Sequence, residues 1–176
     1  FAVILSGELI QSLFHFVLNI ALVRTLSQQD YGFFAIIFVV GAIALTYARA
    51  GVAVPATSFI ARAQGRLSER AFDALFGTAA FVLCLAIMLI VSVALLPVVG
   101  AGAWAAGSFV ALYAFRSYQR IVLLARKAPR IAGLSDLVYA TVGIGSILYC
   151  TLGLDHVTPT HAFLSLTLAH ACGVLV

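Results

Sequence analysis

Charge is what this sequence has least of. Only 9% of its 176 residues are Asp, Glu, Lys or Arg, against 64% that are hydrophobic, and the mean hydropathy is +1.15. A soluble domain carries roughly 25% charged residues, so a soluble fold is excluded. Alternating strand patterns are missing, and the apolar runs are too long for barrel strands, which excludes a membrane barrel. There is no Cys-x-x-Cys: Cys84, Cys150 and Cys172 stand alone in apolar runs and read as small packing residues. Gly-x-x-x-x-Gly-Lys, His-Glu-x-x-His and Gly-x-Ser-x-Gly are absent, as is an arginine at every third helical position. An ATPase, a zinc hydrolase, a nucleophile-elbow hydrolase and a voltage sensor are thereby excluded from this stretch. No metal, no cofactor and no catalytic residue is expected. No basic stretch precedes Phe1, so the start does not read as a signal peptide. With the short last run from Ala162 to Val176, both ends are expected to belong to a fragment of a longer protein.

What is present is a series of six apolar segments: Phe1 to Val23, Phe33 to about Ile60, Ala71 to Leu96, about Ala103 to Ala125, Ile131 to Leu152, and one from near Thr160. Each is about the 20 residues that a helix needs to cross a bilayer. The expected fold is an all-α polytopic membrane bundle of about six transmembrane helices. Helix-end chemistry separates them. Ser27 with Asp30 fits an N-cap followed by an acid at the third helical position. Ser68 with Glu69 and Asp73 fits the start of the third helix. Thr158-Pro159 fits a cap before a first-turn proline. Leu96-Pro97 through Gly102 reads as a tight turn, Ala128-Pro129 as a break, and Pro55 as a kink near the end of helix two.

Arg62, Arg66 and Arg70 lie between helices two and three, and Arg126, Lys127 and Arg130 between helices four and five. Both loops fall on one side of the membrane, which the positive-inside rule makes cytoplasmic, with the amino terminus. The other side has Arg24, offset by Asp30, and a loop with Asp155 and His156. These loops account for the net charge of +4, so membrane lipids and no nucleic acid are the expected surroundings.

Polar groups inside a span cost free energy and must face protein or water. Helix one carries Glu8, Gln11, Ser12, His15 and Asn19 within an arc of about 100°. The stripe lines a hydrated cavity or only ties helices together by hydrogen bonds. Helix four carries Tyr113, Arg116, Gln119 and Arg120 within about 120°. Helix two adds Arg49. A guanidinium fork matches phosphate oxygens; the alternative is ion pairing with Asp136 or Glu8. Asp136 reads as a partner for an arginine or as a proton-coupling group. The candidate cavity-lining set is therefore Arg49, Arg116, Arg120, Glu8, Gln11, His15 and Asn19, with Asp136 as ion-pair or coupling residue.

The stretch Ala21-Leu-Val-Arg-Thr-Leu-Ser-Gln-Gln-Asp-Tyr-Gly32 resembles the first loop of polysaccharide (O-antigen type) flippases. These belong to the multidrug/oligosaccharidyl-lipid/polysaccharide exporter superfamily. Ala48-Arg-Ala-Gly-Val-Ala-Val-Pro55 resembles their glycine-bearing break in helix two. Arg116 through Arg130 and Leu134-Ser-Asp-Leu137 resemble their helix-four end, basic loop and helix-five start. The resemblance implies that residues 1–176 are the amino-terminal six-helix lobe of a longer transporter. Its partner would be a carboxy-terminal lobe of the same chain, facing a central cavity. It further implies a polyprenyl-diphosphate-linked oligosaccharide as substrate, moved across the bacterial inner membrane, with basic residues meeting the diphosphate. Multidrug-type cation antiporters of the same fold show acidic sites in this lobe, for which only Glu8 and Asp136 are available here. A membrane-embedded sugar-lipid enzyme is the third alternative, and would predict a long charged loop that the sequence does not contain.

Overall fold

The computed structural model describes residues 2–62, 65–154 and 156–176. Asp155, expected in an outer loop, lies outside the described residues. Among those described there are six helices and no strand. They are α1 (Ala2–Thr25), α2 (Gln28–Ala48, a π-helical turn Arg49–Ala53, and Val54–Arg62), α3 (Arg66–Val99), α4 (Gly102–Ala125), α5 (Pro129–Gly153) and α6 (Pro159–Val174). The expected all-α bundle is the one found. Four of the helices, α1, α2, α3 and α5, are long and apolar enough to cross a membrane. The other two fall short because α4 carries Arg116 and Arg120 and α6 has only 16 residues.

The helix ends follow their sequences in most places. Ser27 has extended backbone, and its hydroxyl accepts from the Asp30 N–H at 3.1 Å, which starts α2. Thr158 and Pro159 start α6, where His161 Nδ1 accepts from the Thr158 N–H at 3.2 Å. Two expectations need correction. The cap of α3 is Gly65, not Ser68, which sits within the first turn and donates to the Gly65 carbonyl at 2.8 Å. Gly65 has φ +95°, a conformation a glycine adopts without steric cost. Pro97 does not begin a turn either; α3 runs through it to Val99, and the chain reverses at Gly100, φ +56°.

In α2 the reading of Pro55 as a kink takes a more specific form. Proline has no N–H and its ring crowds the carbonyl four residues back. The chain answers by widening one turn, and the Val54 N–H bonds to the Arg49 carbonyl, five residues back. Single π turns of this kind tend to occur at functional sites.

At the centre of the bundle, α4 packs against α3, α6 and α2, while α5 packs against α1 and α6. The buried core is aromatic: Phe14, Phe34, Phe109, Phe163 and Tyr139 interlock with Leu18, Leu22 and Leu166. Glycines bring helices together where a side chain would not fit. A Cβ at Gly143 of α5 would run into the Phe14 ring of α1, and one at Gly107 of α4 into Ser92 of α3. Close approach of this sort replaces hydrophobic drive between helices in lipid. The outward surface is apolar, with Leu9, Leu13, Phe16, Val82, Ile90 and Val93 well exposed, as a bilayer-facing surface requires.

Of the neighbours in sequence, α1 and α2 pack least. The α1–α2 contact is sparse although only a short turn joins them. They touch near the turn, through Asn19 with Tyr31 and His15 with Phe38. Beyond that level α1 leans on α5 and α2 on α4, which leaves a gap between them towards the end that bears the basic loops.

Candidate functional site

That gap holds a cavity of about 180 Å³ lined by Glu8 and Gln11 from α1, Leu45 and Arg49 from α2, and Tyr113, Arg116, Ser117 and Arg120 from α4. Periodicity explains its walls. On α1 the buried residues Phe14, Leu18 and Leu22 share one face. The polar stripe is rotated from that face by about 70° at 100° per residue. It therefore borders the packed interface with α5 instead of lying within it. On α4, Tyr113, Ser117 and Arg120 follow the i, i+4, i+7 spacing of one helical face.

Asp136 of α5 lies behind this cavity, 1% exposed. Its Oδ1 accepts from Arg116 Nη2 at 2.6 Å and from Gln11 Nε2 at 2.5 Å. Its Oδ2 accepts from Arg120 Nε at 3.0 Å. Arg120 Nη1 donates onward to Glu8 Oε1 at 2.8 Å. One buried carboxylate thus ties together α1, α4 and α5. Arg116, 4% exposed, also lies 4.2 Å over the ring centroid of Tyr139, and a Cβ at Gly173 of α6 would collide with its side chain. Losing one partner of such a buried pair costs about 3–5 kcal/mol, because the other is left as an unpaired buried charge.

Arg49 differs from the other two arginines. It is exposed on α2, and its Nε donates to Ser117 Oγ at 3.2 Å. Among the described residues it makes no ion pair. Of the charges at the cavity, Arg116 and Arg120 are matched by Asp136 and Glu8, and the positive charge of Arg49 is the surplus.

Five of the seven residues proposed from the sequence as cavity-lining, Glu8, Gln11, Arg49, Arg116 and Arg120, come together here. His15 and Asn19 do not line this space. His15 Nε2 lies 3.5 Å from the Tyr139 hydroxyl. Asn19 accepts from the Tyr31 hydroxyl at 3.2 Å and donates to the His15 carbonyl at 2.7 Å. Gln119 turns away to α6, donating to the Val174 carbonyl at 2.9 Å. Leu45 and Ser117 were not singled out by sequence. Ser117 has a legible signal, four residues after Tyr113 and three before Arg120 on the same face.

Residues 1–127, covering α1 to α4, match a family model described as polysaccharide biosynthesis protein. No curated protein and no solved structure matches the chain. Asp136 lies beyond the matched residues, whereas the arginines it holds lie within them.

Proposed function

The chain belongs to the polysaccharide biosynthesis protein family, and from that premise we propose that it is the amino-terminal lobe of a flippase in the bacterial inner membrane. Its substrate is a polyprenyl-diphosphate-linked oligosaccharide. The supporting observation is the surplus positive charge of Arg49, facing a cavity whose other charges cancel. An anion supplies what that guanidinium lacks, and charge-assisted hydrogen bonds to phosphate are among the strongest a side chain makes. Polar residues lining a gap between helices suit passage of a head group. The second wall comes from a carboxy-terminal lobe of the same protein, since alternating access needs two units rocking about a shared site. The basic loops and the amino terminus face the cytoplasm, and the substrate enters from the inner leaflet.

A cation-coupled antiporter of the same fold is the second reading. It needs an acid free to take a cation, and both candidate acids, Glu8 and Asp136, are engaged by arginines. Transport is also preferred to catalysis, because the polar groups of the site lie along helices and not in a charged loop.

The test is export in cells whose own exporter has been replaced by this protein. Arg49→Ala should stop surface polysaccharide and leave lipid-linked precursor on the inner leaflet, with normal protein in the membrane. Arg49→Lys, which keeps the charge and loses the fork, should retain partial export. Normal export by the alanine variant overturns the assignment.

A further inference from the structure

We infer that Tyr113, Ser117 and Arg49 form an oxyanion subsite, a set of unspent hydrogen-bond donors that receives one phosphate group on the α2–α4 wall of the cavity. The inference rests on the transport reading above and adds two uncharged residues to it.

The unspent donors of one wall, beside an unpaired positive charge, carry it. The carboxylates beside the cavity are engaged by other groups: Asp136 takes bonds from Arg116, Arg120 and Gln11, and Glu8 takes one from Arg120. On the α2–α4 wall three groups keep unspent donors. Arg49 uses its Nε on Ser117 and has no other hydrogen bond among the described residues, which leaves both terminal nitrogens available. Ser117 accepts that bond through Oγ and donates its own proton to nothing described. The Tyr113 hydroxyl, on the same face of α4 one turn away, has no hydrogen bond among the described residues, although its ring is fixed by Phe109 and His170. The α2–α4 wall therefore offers several donors and no acid of its own, while the acceptors left without a bond among the described residues, Gln11 Oε1 and Glu8 Oε2, lie across the cavity on α1.

The surplus charge of Arg49 selects the ligand. A sugar hydroxyl is neutral and would leave the Arg49 charge unmatched. A phosphate group at the end of a diphosphate is rich in acceptors. Its oxygens can take two bonds from the Arg49 fork and one from each hydroxyl. Ser117 also acts as a positioning residue. By holding Nε it fixes the guanidinium plane, so that the far edge of the fork meets the ligand with little rotamer freedom left to lose.

The experiment measures binding of a short prenyl diphosphate, farnesyl diphosphate, to the purified full-length protein in detergent. Inorganic pyrophosphate and farnesol are run alongside. Ser117→Ala and Tyr113→Phe remove one hydroxyl each, leave the packing volume almost unchanged, and should each weaken farnesyl diphosphate about tenfold. Ser117→Thr keeps the hydroxyl and should bind as the parent does. Unchanged binding in both deletion variants overturns the subsite while the transport reading stands. Equal losses in Ser117→Thr and Ser117→Ala also overturn it, because the hydroxyl is then not what matters. Pyrophosphate binding that depends on the same residues, without farnesyl diphosphate binding, supports the subsite and counts against the lipid-linked substrate. A parent protein that binds neither diphosphate overturns both.

Discussion

Gly7 of α1 lies so close to the Asp136 carboxylate of α5 that a Cβ at position 7 would overlap Asp136 Oδ2 and approach Arg120 Nη2 to 3.6 Å. The carboxylate cannot step aside, because Arg116, Arg120 and Gln11 hold it in place. Gly7→Ala should therefore cost about 1–3 kcal/mol, as overpacking does, and lower the thermal midpoint in detergent. Gly77→Ala is the matched comparison: a Cβ there meets nothing within 4 Å, and the better helix former should be neutral or stabilising. Equal midpoints for the two variants would show that α1 does not depend on this approach.

The Arg116–Asp136 pair should reveal itself by coupling. Asp136→Asn leaves two arginines short of a counter-charge, and should destabilise the protein by about 3–5 kcal/mol. Arg116→Gln should do comparable harm. The double variant removes both charges and should be less damaged than the sum of the singles, with a coupling energy above about 1.5 kcal/mol. Simple additivity in thermal or denaturant unfolding would mean the pair is not what holds α4 to α5.

Arg49 and Arg116 should fail in different ways. Arg116→Ala exposes a structural dependence: the buried Asp136 loses its shortest arginine contact, and the protein should not accumulate. Arg49→Ala breaks one bond, to Ser117, and should accumulate normally while export is lost. Immunoblots of membranes from the two strains, read beside surface polysaccharide, separate the roles. Loss of both proteins from the membrane would make Arg49 structural too.

Topology is open to labelling. Cysteines placed at Ser68 and Ala128 should escape an impermeant maleimide in intact cells and react once the cells are opened. A cysteine at Gln28, at the opposite helix ends, should react in both. The reverse pattern would put the basic loops outside.

Much of the fold was legible because helix ends and spans are local matters. Ser27 caps α2 and Pro129 opens α5 through chemistry contained in a few residues. Where the local reading failed, two signals competed. Ser68 looked like a cap because serine often is one, yet Gly65 could adopt the positive φ that the reversal required. The site was legible as faces and not as partners. Periodicity placed Glu8, Gln11, His15 and Asn19 on one stripe. It could not say that α1 and α2 part midway, which sends Asn19 to Tyr31 and leaves Gln11 beside Asp136. Ser117 escaped notice because a helix serine is ordinary until a guanidinium from another helix is seen to rest on it.

The length of α3 gives the bundle a depth scale. Its 34 residues span about 51 Å at 1.5 Å each, against a hydrocarbon core about 30 Å thick. The surplus emerges at the end where Glu69, Arg70 and Asp73 lie, and Asp73 pairs there with Arg126 at the foot of α4. A part-exposed ion pair of this kind belongs at the membrane–water boundary, where charge costs least. Counting inward along α4, Arg120 lies about 9 Å beneath it and Arg116 about 15 Å. A head group floating at the membrane surface would touch neither. On the transport reading proposed above, such a head group would have to sink by roughly half the thickness of the apolar slab, with water following it down, and the bundle would be a flooded shaft in the bilayer before it is a carrier.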